Sequence, residues 1–398
     1  MNHSIKIAHD REPTAPIERE KLAIRTKRIT VVDAMRGASL LGILISNMLI
    51  FQYGMWGKDA LDLSSFSALS QGVYYFIKIF IESSFMPIFS FLFGFGVVKM
   101  AESLARKQLR VKWHLFRRAL FLLFAGFVHR YFLWEGDILF GYGLTCLVLI
   151  MFVNRQAKTI LIWGILFLTL LVGMMAVPQV MIEKDQEKVD HFIEETNHIY
   201  QNGNYLAIKD HRNNAHPVEL SPEMNILFVI LTPFMTSALF WFGMYAAKRN
   251  WFIEGSFRLT TGIGITVIAL ALKSVQYIFP HSPLQGFTYI AGSLLLSVGY
   301  MIIFVNLYRK TEKLPIHQFF IAVGRLSLSN YLLQTVICTT IFYGYGFGLF
   351  GKLGVFLGLV LSFVIFAFQM IGSKLYLKKF RTGPFEKVLR YWTYLRSV

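Results

Sequence analysis

Long apolar stretches recur along the chain, and most approach or exceed the length that crosses a bilayer as a helix, which is about 20 residues. We predict ten such helices, at approximately 37–54, 73–98, 117–134, 137–153, 159–181, 224–247, 259–279, 286–307, 317–343 and 353–376. Only 16% of the residues are charged, whereas soluble chains carry about 25%. The sequence therefore predicts an all-α polytopic bundle of about ten transmembrane helices in a lipid bilayer.

The basic residues predict how the bundle is oriented. The formal net charge is +17, which could suggest a nucleic-acid partner, but the lysines and arginines lie in alternate loops. Cytoplasmic loops of membrane proteins carry such an excess, so we expect no nucleic-acid partner and both termini in the cytoplasm. The basic groups are Arg25, Lys27 and Arg28; residues 99–118; Arg155 and Lys158; Lys248 and Arg249; residues 309–313; and residues 374–381.

The same pattern divides the chain into five parts. Residues 1–28 form a polar cytoplasmic tail with no apolar core of a cleavable signal peptide, so the first helix is expected to act as an uncleaved anchor. Two five-helix membrane halves, 29–181 and 224–376, flank a polar extracytoplasmic loop at 182–223. Residues 377–398 interleave basic and aromatic side chains, which predicts an amphipathic helix on the inner leaflet.

The extracytoplasmic loop contains several histidines, a residue type that often binds metal ions. These are His191, His198, His211 and His216. Their spacing lacks a compact ligand pair, and neither Cys146 nor Cys338 is close in sequence. We therefore predict a solvated helical cap and no metal site.

The first helix carries two polar residues on one face. Arg36 lies three residues after Asp33, a spacing at which the two side chains can pair on a helix. Asn47 follows on the same face, roughly 16 Å deeper. We interpret Arg36 and Asn47 as substrate- or donor-binding residues. The alternatives are an arginine that snorkels to the interface and an asparagine that only packs.

Glu82 lies inside the second apolar stretch, where burying a carboxylate demands a compensating partner. Pro87 lacks a backbone N–H and should bend the helix at Ser83. A cation would keep Glu82 charged, and we consider Arg130 and Arg325 as candidates. Glu82, Arg130 and Arg325 are thus predicted to bind substrate or donor; the alternative is a structural ion pair.

The stretch 126–143 concentrates ionisable groups between two apolar runs. Ala125 and Gly126 indicate a close helix contact, so His129 is expected to face the bundle. Glu135 and Asp137 follow in a short turn and could orient the imidazole. We interpret His129, Asp137 and Glu135 as candidate catalytic residues, although a buried histidine that only satisfies its hydrogen bonds is the commoner case.

The predicted ninth helix carries a polar stripe through the membrane. After Arg325, the stripe continues through Ser327, Asn330, Gln334 and Cys338. This spacing indicates either an internal cavity or a hydrogen-bonded bundle core. We include Asn330 and Gln334 among the candidate binding residues.

Several stretches together resemble the YeiB-like family of bacterial inner-membrane proteins. They are residues 33–43 with Asn47, 129–143 and 324–334, supported by 89–94 and 383–386. The resemblance spans nearly the whole chain and implies a multi-pass protein of the bacterial plasma membrane. It also implies either a transporter or a relative of membrane acyltransferases.

The Asp-x-x-Arg-Gly motif at residues 33–37 is also similar to the heparan-glucosaminide acetyltransferase-like group. That group moves acetyl groups from cytoplasmic acetyl-CoA to an acceptor across the membrane. The histidine of that group is expected after the first helix, but residues 54–62 contain none. Its catalytic histidine is therefore not carried over to this chain.

Three functional interpretations follow for this membrane protein. In the first, an anionic donor such as acyl-CoA binds near Arg36 and the basic loop, and His129 acts as general base on an envelope or small-molecule acceptor. In the second, the polar stripe conducts a small polar or anionic substrate with coupled protons or ions. The third is a non-catalytic envelope or assembly factor. The sequence is also compatible with a homo-oligomer.

The charge pattern makes a prediction about topology. Reporter fusions at Arg110, Lys248 and Lys378 should read cytoplasmic, because these residues lie in the basic loops. Fusions at Glu195 and His281 should read external. An external signal at Lys248 would contradict the predicted orientation from the sixth helix onward.

Overall fold

The computed structural model describes residues 29–176, 186–217, 223, 226, 237–254, 257–280 and 282–395, and these residues contain helices and loops but no β-strand. The helices are α1 (Thr30–Gly57), α2 (Ala68–Phe76), α3 (Phe85–Arg106), α4 (Val111–Phe132), α5 (Leu139–Phe152), α6 (Ala157–Ala176), α7 (Gln186–Asn202), α8 (Tyr205–Asn214), α9 (Ala238–Lys248), α10 (Trp251–Glu254), α11 (Leu259–Ile278), α12 (Gln285–Thr311), α13 (Ile316–Arg325), α14 (Ser327–Phe342), α15 (Gly354–Lys379) and α16 (Pro384–Tyr394). The predicted tail 1–28, most of the first half of the predicted helix 224–247, and His281 lie outside the described residues.

Five stretches of the described chain are long and apolar enough to cross a membrane, as expected for a multi-pass membrane protein. They are α1, the broken stretch Ala68–Arg106, α11, α12 and α15. The pair α13 and α14 would be a sixth if both form one span. The helix α5 and the segment Ala157–Gly173 of α6 are also apolar but shorter. The all-α bundle is thus confirmed, while the predicted number of ten spans remains a prediction.

The second predicted helix, 73–98, is broken rather than continuous. After α2 the chain forms a π-helical turn at Ile77–Ile81, and Glu82 then adopts an extended backbone. Ser83 has a positive φ of 60°, so the chain turns sharply before α3 begins. Pro87 lies in the first turn of α3, where backbone N–H groups have no partner within the helix, so its missing N–H costs no hydrogen bond. The bend predicted at Ser83 is therefore present.

The helix predicted at 317–343 is broken into α13 and α14. The axes of α13 and α14 differ by 86° where they meet at Leu326. Glu386 provides hydrogen-bond acceptors for the first turn of α14. Its carboxylate accepts from the backbone N–H groups of Leu328 and Ser329 at 2.8 and 3.1 Å. A carboxylate at a helix N-terminus compensates the unpaired donors there, so the chain can end one helix and start another.

Two glycine-lined crossings hold the bundle together. At the crossing of α1 and α13, a Cβ on Gly37 would lie 2.1 Å from the carbonyl oxygen of Phe320, and a Cβ on Gly324 would lie 1.8 Å from that of Asp33. At the crossing of α3 and α9, Gly94 and Gly243 make the same close approach. Small residues allow such backbone contact between membrane helices.

The C-terminal helix α16 docks on the bundle. Arg117 of α4 donates to the carbonyl of Trp392, and the Trp392 indole donates to the carbonyl of Arg117 at 2.9 Å. Leu389 and Thr393 are buried on this side. The opposite face exposes several large side chains, namely Phe385, Val388, Tyr391 and Leu395. The helix of the predicted amphipathic tail therefore starts at Pro384 and packs against protein, while its apolar face remains exposed.

The crossing of α1 and α13 gives a stability prediction. Gly324→Ala should lower the melting temperature in detergent, because the new methyl group would overlap the Asp33 carbonyl and overpacking costs about 1–3 kcal/mol. Gly372→Ala on α15 is the matched control, since a Cβ there meets nothing within 4 Å. Equal melting temperatures for the two variants would contradict the close crossing.

Candidate functional site

A cavity of about 470 Å³ lies at the end of the bundle where α1 begins and α3 ends. We call it the basic cavity, because five basic side chains and one carboxylate line it. They are Arg36, Lys107, Arg118, Arg325, Arg390 and Glu386. They come from helices far apart in sequence, including α16, so the docked C-terminal helix completes the wall. Such a lining favours an anionic ligand.

Two of the predicted binding residues lie in this wall. Arg36 donates to Asp33 at 3.3 Å, which confirms the predicted pairing. Arg325 donates to the carbonyl of Arg381 at 3.0 Å and lines the cavity at the break between α13 and α14. The break at Leu326 thus brings an arginine to the cavity that a straight helix would place elsewhere.

The deep wall of the basic cavity includes Ile138, Tyr142 and Tyr331. The Tyr331 hydroxyl accepts from the backbone N–H of Ile138 and donates to the carbonyl of Gly136, both at 3.3 Å. Because residues 136–138 belong to the turn that carries Asp137, Tyr331 connects the cavity to the predicted catalytic residues.

His129 and Asp137 form a buried hydrogen-bonded pair behind this wall. His129 Nδ1 lies 2.9 Å from Asp137 Oδ1. Both side chains are almost completely buried. The other oxygen of Asp137 accepts from the backbone N–H of Phe140 at 2.8 Å, at the start of α5. The absence of a side chain at Gly126 leaves room for this turn, because a Cβ at Gly126 would lie 2.1 Å from the backbone nitrogen of Phe140.

The second nitrogen of His129 is also engaged. Nε2 lies 3.0 Å from the hydroxyl oxygen of Thr335 on α14. An ionised carboxylate can only accept, so in the neutral ring Nδ1 carries the hydrogen and Nε2 accepts from Thr335. A hydroxyl, a base and an orienting carboxylate in this order match the geometry of activated nucleophiles. His129 does not line the basic cavity, because Tyr331 lies between them. The ring centroids of His129 and Tyr331 are 5.4 Å apart.

Glu135 lies apart from this pair, at a second cavity of about 210 Å³. We call it the cap cavity, because α7 and α8 cover it as a helical cap. Arg130, Tyr53 and residues 54–57 at the end of α1 also line it. Burial raises the pKa of Glu135 above its ordinary value, although Arg212 and Arg130 act in the opposite direction. Of the three predicted catalytic residues, the structure therefore brings only His129 and Asp137 together.

The predicted helical cap is present, and two of its histidines, His211 and His216, line the cap cavity. His211 is buried, lies 2.8 Å from the hydroxyl of Thr196 and stacks on Phe192. Within the described residues, no group of three or more histidine, cysteine or acidic side chains is arranged to hold a metal ion.

Two residues of the predicted stripe, Asn330 and Gln334, form hydrogen bonds between helices. Asn330 donates to Ser373 at 3.0 Å, and Gln334 donates to Gln369 at 2.9 Å. Gln369 in turn donates to the carbonyl of Asn330. These buried contacts join α14 to α15, so the stripe is a hydrogen-bonded core. Asn47 is half-buried on α1 and lines neither of the two cavities.

The prediction that Arg130 or Arg325 pairs with Glu82 is wrong. Its carboxylate lies 2.8 Å from Lys58 and 2.7 Å from Lys78, and it accepts from Tyr289 at 3.1 Å. Lys273, which is fully buried, donates to the Glu82 carbonyl at 2.5 Å. Arg130 and Arg325 line the cap cavity and the basic cavity instead. The long side chains of Lys58, at the end of α1, and of Lys78, in the π-helical turn before Glu82, reach the carboxylate.

Asp59 completes this ion cluster from the loop after α1. It lies 2.6 Å from Lys58 and also contacts Lys78. Burial opposes its charge, yet the two ammonium groups hold the pKa of Asp59 below its ordinary value. The cluster therefore contains three lysines and two carboxylates.

Comparison with known proteins finds bacterial relatives that align with nearly the whole chain. It is 32% identical to the uncharacterised protein YxaH of Bacillus subtilis, over 94% of this chain and 96% of that protein. The chain belongs to the YeiB-like family. It is also 26% identical to the uncharacterised protein YeiB of Escherichia coli, over 92% of this chain and 96% of that protein. A family model described as a protein of unknown function (DUF418) matches residues 239–396. No solved structure matches this YeiB-like chain.

Sequence reasoning missed several residues of these sites in this YeiB-like protein. Lys273 is a lone lysine inside an apolar stretch, a signal that could have identified it. Thr335 and Tyr331 gave no such signal, since threonine and tyrosine are common in membrane helices. Arg390 lay within the predicted surface helix and was therefore not assigned to a cavity.

The ion cluster gives a second stability prediction. Glu82→Gln should lower the free energy of unfolding by about 3 kcal/mol, the lower end for breaking a buried ion pair, because Asp59 still faces both lysines. The control is Glu102→Gln, which removes an exposed ion-pair partner of Lys99. It should lower the free energy of unfolding by less than about 1 kcal/mol. The measurement is thermal unfolding in one detergent, and a Glu82→Gln variant that melts like the parent would contradict the assigned partners.

Proposed function

We propose that the chain is a ten-helix plasma-membrane protein with cytoplasmic termini, and that it transfers an acyl group from an anionic cytoplasmic donor to an acceptor. The observation that carries the proposal is the basic cavity, with five basic side chains against one carboxylate. In the proposed topology, its lining residues Lys107 and Arg390 belong to basic segments on the cytoplasmic side.

The donor is an acyl thioester with phosphate groups, of which acyl-CoA is the natural representative. Guanidinium groups bind phosphate oxygens through paired N–H donors, and four of the five cavity cations are arginines. The cavity volume of about 470 Å³ lies within the usual range for small-molecule sites, about 300–1,000 Å³. The donor would place its phosphates among these arginines and direct its thioester towards Tyr331.

The acyl transfer would use the Asp137, His129 and Thr335 chain. The acceptor hydroxyl attacks the thioester carbonyl carbon, the new C–O bond forms, and the C–S bond breaks. The hydroxyl proton passes through the Thr335 hydroxyl to His129 Nε2 and then to the departing thiolate. Asp137 holds the imidazole in the required orientation, and general base catalysis of this kind contributes about 10²–10⁴-fold. The step requires Tyr331 to move, because it separates His129 from the cavity.

A second candidate function is ion- or proton-coupled transport of a small polar or anionic molecule. The ion cluster around Glu82 favours it, because three lysines and two carboxylates surround a broken helix. Ionisable residues at such a break mark coupling sites in many transporters. We rank this candidate second, because neither the basic cavity nor the cap cavity is lined by residues of the cluster.

Two variants with opposite effects test the acyl-transfer proposal. Arg390→Gln should weaken CoA binding by about tenfold, the effect of losing a charge-assisted hydrogen bond. His129→Gln should leave CoA binding unchanged and lower acetyl-CoA consumption by membrane vesicles by about 10²-fold or more. Binding is measured on the purified chain in nanodiscs, and thiol release reports consumption.

The matched control for the first variant is Lys387→Gln, which removes an exposed charge from the same helix outside the cavity. It should bind CoA like the parent. Equal binding by both α16 variants would contradict the donor site. A folded His129→Gln variant with full acetyl-CoA consumption, or solute uptake without acyl transfer, would overturn acyl transfer by this mechanism.

A further inference from the structure

The cap cavity lies at the opposite end of α1 and α4 from the basic cavity. Arg36 and Tyr53 line different cavities and are 17 residues apart on α1, roughly 25 Å along the axis. Arg118 and Arg130 are likewise about 18 Å apart on α4. The two cavities share no lining residue, and His129 immediately precedes Arg130.

The cap is fixed to the end of the helix that carries His129. Arg212 of α8 donates to the carbonyls of Leu133 and Tyr131 at 2.9 and 2.8 Å. Tyr205 donates to the carbonyl of Phe132 at 2.9 Å. These bonds satisfy carbonyls at the end of α4 that have no helical partner. The cavity beneath the cap is therefore built by specific contacts.

Three polar atoms of the cavity lining have no hydrogen-bond partner among the described residues. They are the hydroxyl of Tyr53, Oε2 of Glu135 and Nε of Arg212. The Tyr53 side chain is more than nine-tenths buried. A buried polar atom without a partner costs free energy, so three around one cavity indicate that a ligand supplies the missing bonds.

We propose that the cap cavity binds the acceptor of the acyl transfer, a small uncharged molecule with several hydroxyl groups, such as a monosaccharide or polyol. This inference rests on the proposed function. It adds the substrate class and assigns Tyr53, Glu135 and Arg212 to a site on the side opposite the donor.

The chemistry of the lining selects hydroxyl groups. Arg212 offers an N–H donor, Glu135 offers an oxygen, and the phenol can donate or accept, so a ligand must both accept and donate. A hydroxyl group does both. An ammonium ligand would meet the positive charges of Arg130 and Arg212. A carboxylate ligand only accepts hydrogen bonds, so it would leave the Glu135 oxygen without a donor.

The dimensions of the cavity also restrict the ligand. Its volume of about 210 Å³ is below the range of about 300–1,000 Å³ for drug-sized ligands. The aromatic side chains of Phe192, Tyr200 and Tyr53 form part of the wall. A single six-membered ring with hydroxyl groups at its edge fits both the size and this mixed lining.

Saturation binding of radiolabelled glucose, myo-inositol and glycerol to the purified full chain in nanodiscs tests the site. At least one should bind saturably, and Tyr53→Phe and Glu135→Gln should each lower its affinity about three- to tenfold, the effect of one lost hydrogen bond. The matched controls Tyr391→Phe and Glu194→Gln alter exposed residues outside the cavity and should bind like the parent.

CoA binding is measured in parallel on the same preparations, without any polyol. Polyol binding that fails while CoA binding persists would overturn the acceptor site and leave the donor site intact. Saturable binding of ethanolamine or succinate in place of the polyols would overturn the ligand class. Equal affinities of the cavity variants and the controls would overturn the location.

Discussion

The interior of a bilayer offers no water to satisfy polar groups, and this constraint explains most of the polar contacts in the chain. His129 has a partner at each ring nitrogen, and both oxygens of Asp137 accept hydrogen bonds. Asn330 and Gln334 are satisfied by Ser373 and Gln369. These buried polar side chains therefore join helices to one another.

Irregular backbone within the bundle follows the same constraint. The break at Glu82 is stabilised by Lys273, which donates to the freed carbonyl, and the break at Leu326 is stabilised by Glu386. Each break also serves a site. The first exposes Glu82 to two lysines, and the second brings Arg325 to the basic cavity. Glycine pairs at the crossings let the helix backbones approach closely.

The arrangement of the two cavities gives the proposed chemistry its physical logic. The basic cavity has a strongly positive lining, whereas the cap cavity combines donors with a carboxyl group. Between them, Trp134 is fully buried and stacks on Phe51 with ring centroids 4.1 Å apart. A transfer between the two sides therefore needs movement of Tyr331 and of the Trp134 and Phe51 stack. Such separation would also protect a reactive thioester from water on the opposite side.

The sequence by itself determined the features that depend on local spacing. Apolar length predicted the all-helical membrane bundle, three-residue spacing predicted the pair of Asp33 and Arg36, and Pro87 predicted the bend at Ser83. The proximity of His129 to Asp137 also followed from a short turn. Each of these depends on residues within about two helical turns or one loop, where backbone geometry restricts the possible arrangements.

Only the tertiary structure decided which remote residues meet. Thr335 is 206 positions from His129, and Lys273 is 191 positions from Glu82. Arg390 reaches the basic cavity because α16 docks on α4. The exposed aromatic face of α16, taken alone, resembles that of a helix lying on a membrane surface. Periodicity predicts which face of a helix is polar, but the partner of that face depends on how helices cross. Those crossings depend on small side chains at positions such as Gly37 and Gly324. Local sequence patterns do not show that these two positions meet.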